Sequence, residues 1–225
     1  QNFYTNDTRK QEIERPLGIT LLPGSRTPEA YKNWDKITIA VSTLIAMFNQ
    51  EDFAGHTSGN LVFLAAIAPG LDYDILAKTL KNQGWNIVPN EESPINIPDD
   101  QALTFKQKNG YMILTQTAYN DCLHLGDIAI AMAGTATEQF VGLGKPAFII
   151  PGEGPQFTPL FAEAQTRLLG SSVILVKKPS DVAAEIQTLF ANPDRLHAIA
   201  KNGVRRMGEA GAAKRIAECL MKNWY

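Results

Sequence analysis

Short apolar runs alternate along this chain with longer stretches in which apolar residues recur at every third or fourth position. The runs at 19–22, 61–68, 128–132, 147–150 and 172–176 are almost unbroken in Ile, Leu, Val, Phe and Ala, the pattern of strands buried on both faces. A shorter run at 85–88 reads as a further strand. In the stretch 28–49, Trp34, Ile37, Val41, Leu44, Ile45 and Phe48 share one helical stripe. Further helices are expected at 71–83 (closed by Gly84), 118–125, from Gly134 to 142, and at 159–169, 180–191, 193–208 and 210–223. Residues 102–106 and 111–114 flank Lys108-Asn109-Gly110, where the Asn-Gly pair predicts a tight turn between two antiparallel strands. Residues 90–100 follow one proline, Pro89, and contain two more, Pro94 and Pro98, so they read as loop. This alternation predicts an α/β domain built on a mostly parallel sheet with helices on both faces.

Composition narrows what such a domain can do. With 225 residues, 44% of them apolar, the chain can bury a sizeable core without metals or disulfides. Its 21 basic and 23 acidic residues leave a net charge of -2, so no basic footprint points to nucleic acid or an anionic membrane surface. The two cysteines, Cys122 and Cys219, match neither a disulfide framework nor a zinc site and suit a reducing, cytoplasmic compartment. No apolar run reaches the roughly 18 residues of a membrane-spanning helix. Residues 1–16 are polar and aperiodic and end in Glu14-Arg15-Pro16, so they read as a linker from a missing N-terminal domain, with the domain proper at 17–225.

The chemistry concentrates in three turns. After the strand at 19–22 comes Pro23-Gly24-Ser25-Arg26, and after the strand at 128–132 comes Ala133-Gly134-Thr135-Ala136-Thr137-Glu138. A strand that enters a small-residue turn and then a helix presents backbone N–H groups and the positive helix end at one sheet edge, a ready site for phosphate. Two such turns predict a diphosphate ligand. Gly24 lets the ligand approach the backbone, Ser25 offers a hydroxyl, and Arg26 can grip phosphate oxygens in a bidentate way. The alternative is an ordinary loop whose Arg26 pairs with surface carboxylates. Neither turn is a Walker A loop or a GxGxxG fingerprint. Glu138 can accept hydrogen bonds from both hydroxyls of a ribose, or it simply stabilises the helix N-terminus by about 0.3–1 kcal/mol. The third turn, 151–158, carries Gly152 and Gly154 for close backbone approach and Gln156 and Thr158 as polar groups suited to sugar hydroxyls; otherwise it is a Gly/Pro loop that starts the next helix.

Leu21-Leu-Pro-Gly-Ser-Arg-Thr-Pro-Glu29 and the stretch from Gly126 through Ala133-Gly-Thr-Ala-Thr-Glu138 to Pro146 resemble the carboxyl-terminal half of lipid-A-disaccharide synthase and its relatives. These are inverting glycosyltransferases of the two-domain B fold, and the similarity runs through nearly the whole chain. The resemblance implies a Rossmann-like donor-binding domain and a UDP-sugar substrate, with N-acetylglucosamine or a derivative as the sugar. It implies that Gly24, Ser25 and Arg26 meet the diphosphate, that Gly134, Thr135 and Ala136 line it from the other side, and that Glu138 holds the ribose. The uracil is expected near 111–114. No cofactor and no metal are implied, since helix dipoles and an arginine can neutralise the leaving diphosphate and the chain lacks an Asp-x-Asp pair.

Residues 154–165 depart from the lipid-A synthases and are more like the synthase-related proteins of photosynthetic organisms, which leaves acceptor and sugar open. The lipid or glycan acceptor and the catalytic base are expected on the missing N-terminal half. This fragment alone is therefore expected to be inactive, with its cytoplasmic location at the inner face of a membrane, a peripheral membrane contact and homo-oligomerisation all left open. His56, His124 and His197 have no partner at metal-ligand spacing, although His56 has a position from which it can face the cleft. The aromatic end of the last helix, Trp224-Tyr225, is a candidate contact with the missing half. Two other functions fit the same residues: a UDP-N-acetylglucosamine 2-epimerase, which needs acid/base carboxylates and a histidine in this half, and a non-catalytic nucleotide-sugar-binding module.

Overall fold

The computed structural model describes residues 16–48, 59–209 and 211–223. All of the expected 1–16 linker except Pro16, together with His56 and the terminal Trp224-Tyr225, lies outside the described residues. The elements in chain order are β1 (Leu17–Leu22), α1 (Glu29–Phe48), β2 (Leu61–Ala66), α2 (Tyr73–Asn82), β3 (Asn86–Val88), β4 (Leu103–Gln107) and β5 (Gly110–Thr115), followed by α3 (Tyr119–Leu125), β6 (Ile128–Ala131) and α4 (Thr135–Gly142). Then come β7 (Ala147–Ile149), α5 (Pro159–Leu169), β8 (Val173–Leu175), α6 (Val182–Phe190), α7 (Pro193–Met207) and α8 (Ala212–Asn223).

The strands form one sheet in the order β3-β4-β5-β2-β1-β6-β7-β8. From β5 through to β8 every neighbouring pair is parallel, and β4 and β3 add an antiparallel edge. Both β1 and β2 are buried at every position, which is why they read as unbroken apolar runs. From β1 the chain first winds through α1 to β2 on one side and later returns to β6 on the other. Right-handed crossovers then place helices on opposite faces of the sheet. α1 packs beside α2 and α6, while α4 and α5 pack beside α7. Trp34, Phe63, Phe105, Phe140 and Phe148 fill the layers between helices and sheet.

The hairpin between β4 and β5 closes one residue earlier than the Asn-Gly pair suggests. Gln107 pairs with Gly110, so Lys108 and Asn109 form the turn, with Lys108 taking the positive φ of 52°. Gly110 belongs to β5 through its pairing with Gln107 and Leu61, and it packs closely on Ile45: a Cβ there would sit 2.8 Å from Ile45 Cδ1. At the other edge of the α/β unit, Asp72 caps α2 by accepting the N–H of Asp74 at 2.8 Å.

Candidate functional site

Because the winding reverses at β1, the loops after β1 and β6 diverge and leave a crevice at the carboxyl edge of the sheet. A cleft of about 580 Å³ fills it, within the range of roughly 300–1,000 Å³ usual for small-molecule sites. Gly24, Ser25 and Arg26 line one side, Gly134, Thr135 and Ala136 the other, and Gln156 reaches it from the loop after β7.

Each side is built by local rules. Gly24 turns the chain at a φ of +92°, which a side-chain-bearing residue rarely adopts, and Arg26 O accepts the N–H of Ala30 at 2.8 Å to open α1. The Arg26 side chain is exposed, and among the described residues no carboxylate pairs with it. Across the cleft, Gly134 caps α4 without a side-chain partner, its carbonyl taking the N–H groups of Thr137 (3.0 Å) and Glu138 (3.2 Å). The N–H groups of Thr135 and Ala136 are then left as donors at the positive end of that helix.

Buried side chains behind the cleft tie its carbonyls back. Asn33 Nδ2 donates to Pro23 O (3.0 Å) and Met132 O (3.5 Å), linking the two phosphate-type turns. Gln165 Nε2, on α5, donates to Ala133 O (3.2 Å) and Gly134 O (3.3 Å). Glu29 is 6% exposed and accepts the backbone N–H groups of Phe157 (2.7 Å) and Gln156 (3.2 Å), which fastens the third loop to the start of α1. Nearby, Lys36 pairs with Glu153 at 2.9 Å and donates to Pro151 O at 3.2 Å; its hydrogen bond and charge hold the Glu153 carboxyl below the usual carboxylate range.

The third loop uses its small residues differently from the expectation. Gly154 makes room for Glu29, whose Cδ would stand 2.3 Å from a Cβ there, and a Cβ on Gly152 would stand 2.6 Å from Phe157 O. These glycines serve internal packing rather than approach to a ligand. Thr158 lies off the cleft and caps α5, its hydroxyl accepting the N–H of Phe161 at 3.1 Å. Glu138 is half-buried on α4 and is also outside the lining, whereas the next residue, Gln139, faces the cleft. The signal was available in the sequence: Gln139 stands three and four positions after Ala136 and Thr135, on the same helical face.

The remaining wall is formed by 66–69 after β2 and by Gln116, Tyr119 and Gln139. Tyr119 donates its hydroxyl to Gln139 Oε1, and burial pushes the Tyr119 phenol up. Gln116 Nε2 donates to Ala68 O (3.2 Å) and Leu71 O (2.8 Å). Beneath it, burial pushes the Asp99 carboxyl up, but hydrogen bonds from Thr115, Gln101 and Thr117 outweigh this and hold it below its ordinary value.

No family model matches this sequence, and no curated protein matches it either. Solved structures do match its shape. The C-terminal CMP-Kdo binding domain of WaaA from Acinetobacter baumannii aligns over 89% of this chain and 94% of its own, with a TM-score of 0.53 and 11% identity. The C-terminal domain of a glycosyl transferase group 1 family protein from Francisella tularensis aligns over 88% and 87%, with a TM-score of 0.51 and 14% identity. The fold is that of a B-type glycosyltransferase carboxyl-terminal domain. UDP-GlcNAc 2-epimerase from Neisseria meningitidis, solved with UDP-GlcNAc, also matches, with a TM-score of 0.55 and 15% identity over 96% of this chain. This chain spans only 49% of that epimerase's length, about half.

Among the described residues the charged lining of the cleft is small. Its cation is Arg26 and its carboxylate is Glu29, already committed to two backbone N–H groups. His124 and His197 are exposed and lie off the cleft. No group of three or more His, Cys, Asp or Glu side chains among the described residues is arranged to hold a metal ion, and no described helix is long and apolar enough to cross a membrane.

Proposed function

We propose that this chain is the donor-binding half of an inverting glycosyltransferase of the lipid-A-disaccharide synthase-like kind. It takes a UDP-sugar, N-acetylglucosamine or a derivative, for transfer to a lipid or glycan acceptor held by another domain. The observation that carries this reading is the pairing of two small-residue turns across one cleft, Gly24-Ser25-Arg26 facing Gly134-Thr135. In that reading the β-phosphate leaves with its growing negative charge stabilised by the Arg26 guanidinium, the Ser25 hydroxyl, the Thr135 and Ala136 N–H groups and the positive end of α4. The two N–H groups are fixed by the first turn of α4, and such preorganised donors stabilise charge most in a cleft that excludes water.

A 2-epimerase shares the fold, and the Neisseria structure favours it as the second reading. It needs side chains that move protons next to the sugar, whereas the cleft's carboxylate among the described residues is tied down. Calorimetric titration with UDP, UDP-N-acetylglucosamine and ADP tests the donor reading. Uridine-selective binding that falls in Arg26→Ala is expected; absence of binding to any of the three would overturn it. Conversion of UDP-N-acetylglucosamine to its 2-epimer by the full-length protein would replace it with the second reading.

A further inference from the structure

Gln165 holds the second turn from outside the helix that the turn opens. It is 3% exposed on α5, and its Nε2 donates to Ala133 O (3.2 Å) and Gly134 O (3.3 Å), 32 and 31 residues away. Neither carbonyl needs these bonds to be satisfied. Ala133 O already receives the Thr137 hydroxyl at 2.6 Å, and Gly134 O receives the N–H groups of Thr137 and Glu138. The amide itself is left incomplete: with its hydrogens turned to the two carbonyls, no described donor reaches its Oε1. A buried amide oxygen without a partner lowers stability, and an apolar side chain of the same length would fill this place with no such loss.

What the amide adds is direction. In a planar trans peptide the C=O and N–H point to opposite sides. With the oxygens of the Ala133–Gly134 and Gly134–Thr135 peptides drawn inward, the N–H groups of Gly134 and Thr135 point outward, to the cleft that both residues line. No described acceptor takes either of them. The bonds from Thr137 and Glu138 belong to α4 and move with it, whereas Gln165 fastens the turn to α5, whose Phe161 lines the same cleft. We propose that Gln165 is a positioning residue for the donor phosphates: it touches no ligand, and it holds the second turn so that the Gly134 and Thr135 N–H groups stay aimed at the diphosphate. This rests on the donor-site reading above.

The test sets Gln165→Met and Gln165→Glu beside the unaltered full chain, with UDP and inorganic pyrophosphate titrated by calorimetry and uridine by NMR. Gln165→Met keeps the length of the side chain and removes both donors. It is expected to keep or raise the melting temperature while UDP and pyrophosphate bind roughly tenfold more weakly and uridine binds as before. In Gln165→Glu a buried carboxyl faces two carbonyl oxygens, which favours its protonated form, and that form can donate to one of them. Its UDP affinity, divided by that of the unaltered protein at each pH so that the ligand's own titration cancels, is expected to recover severalfold between about pH 8 and pH 5.5. Unchanged UDP affinity in Gln165→Met, or a loss shared equally by UDP and uridine, overturns the proposal while the donor-site reading stands. Failure of UDP and pyrophosphate to bind the unaltered protein overturns both. Should Gln165→Met not fold, Gln165→Glu decides alone: a ratio that stays flat with pH refutes the positioning role.

Discussion

The carboxylate of Glu29, at the start of α1, receives the backbone N–H of Phe157 at 2.7 Å from 128 residues further along the chain. That bond and its companion from Gln156 turn two distant loops into one rim of the cleft. Glu29→Gln keeps an acceptor but loses the charge, and is expected to cost about 1–2 kcal/mol of stability. Glu29→Ala strands both N–H groups and is expected to cost about 2–3 kcal/mol. Gly154→Ala should mimic the loss by pushing the carboxylate away, since its methyl would stand 2.3 Å from Glu29 Cδ. Urea unfolding of the three variants measures this, and unchanged midpoints would show that the clasp holds nothing.

Arg26 stands on the surface of the first turn without a described ion-pair partner. Arg26→Ala should therefore leave the melting temperature within about 2 °C and weaken UDP binding roughly tenfold to a hundredfold. Binding by the alanine variant should also depend less on salt. Lysine at the same place should recover only part of the affinity, because it carries the charge without the planar fork. An affinity indifferent to all three residues would remove Arg26 from the phosphate site.

Gln139 faces the cleft and Glu138 does not, so the two neighbours should separate cleanly. Gln139→Ala is expected to reduce nucleotide affinity about fivefold by removing a hydrogen-bonding group and freeing Tyr119. Glu138→Ala is expected to leave affinity within about twofold while costing a few tenths of a kcal/mol at the helix end. Thr158→Ala should cost about 1 kcal/mol through the lost cap of α5, again without touching nucleotide binding. The opposite ordering of Glu138 and Gln139 in a side-by-side titration would place the ribose on the other face of α4.

The buried thiol of Cys122 and phenol of Tyr73 set an alkaline limit. Burial pushes Cys122 from 9.0 to about 12 and Tyr73 from 10.0 to about 12. Both groups hold their protons more tightly when folded. Their stabilising effect is complete below the unfolded values and is lost as pH rises toward 12. Stability should start to fall near pH 9, with the thiol contributing a slope of up to about 1.4 kcal/mol per pH unit. Asp99 acts in the opposite direction: its carboxyl is held low when folded, so its contribution is present above the ordinary aspartate range and fades as acid protonates it. Denaturation midpoints measured from pH 3 to 10.5 should fall at both ends, with the alkaline fall flattened in Cys122→Ala and the acid fall flattened in Asp99→Asn.

What the sequence disclosed and what it hid follow from the range of the forces involved. β1, β2 and β6 were legible because strands buried on both faces must be apolar throughout, and the two phosphate-type turns were legible because a strand-to-helix turn needs small residues wherever it occurs. The hairpin was placed one residue late because Gly110 is drawn into β5 by its pairing with Leu61, far away in sequence. Glu29, Asn33 and Gln165 looked like ordinary helix residues; their roles come from backbone atoms that only the assembled sheet brings within reach. Gly152 and Gly154 were legible as close-approach positions, but the sequence could not say that the approaching group belongs to the protein itself.

Asn33 and Gln165 also give the cleft a polarity that no single residue reveals. They occupy the carbonyls of Pro23, Met132, Ala133 and Gly134, so these four oxygens are turned inward to the protein, while the Thr135 and Ala136 N–H groups stay free. At these four positions the backbone works as a one-way filter, with its lone pairs already spent inside the protein. A magnesium ion carried in on a diphosphate would find these four oxygens already occupied, and is expected to keep to the solvent side. Titrations of UDP with and without magnesium should therefore superimpose, and a marked gain with the metal would mean that one of these four carbonyls swings free when the nucleotide arrives.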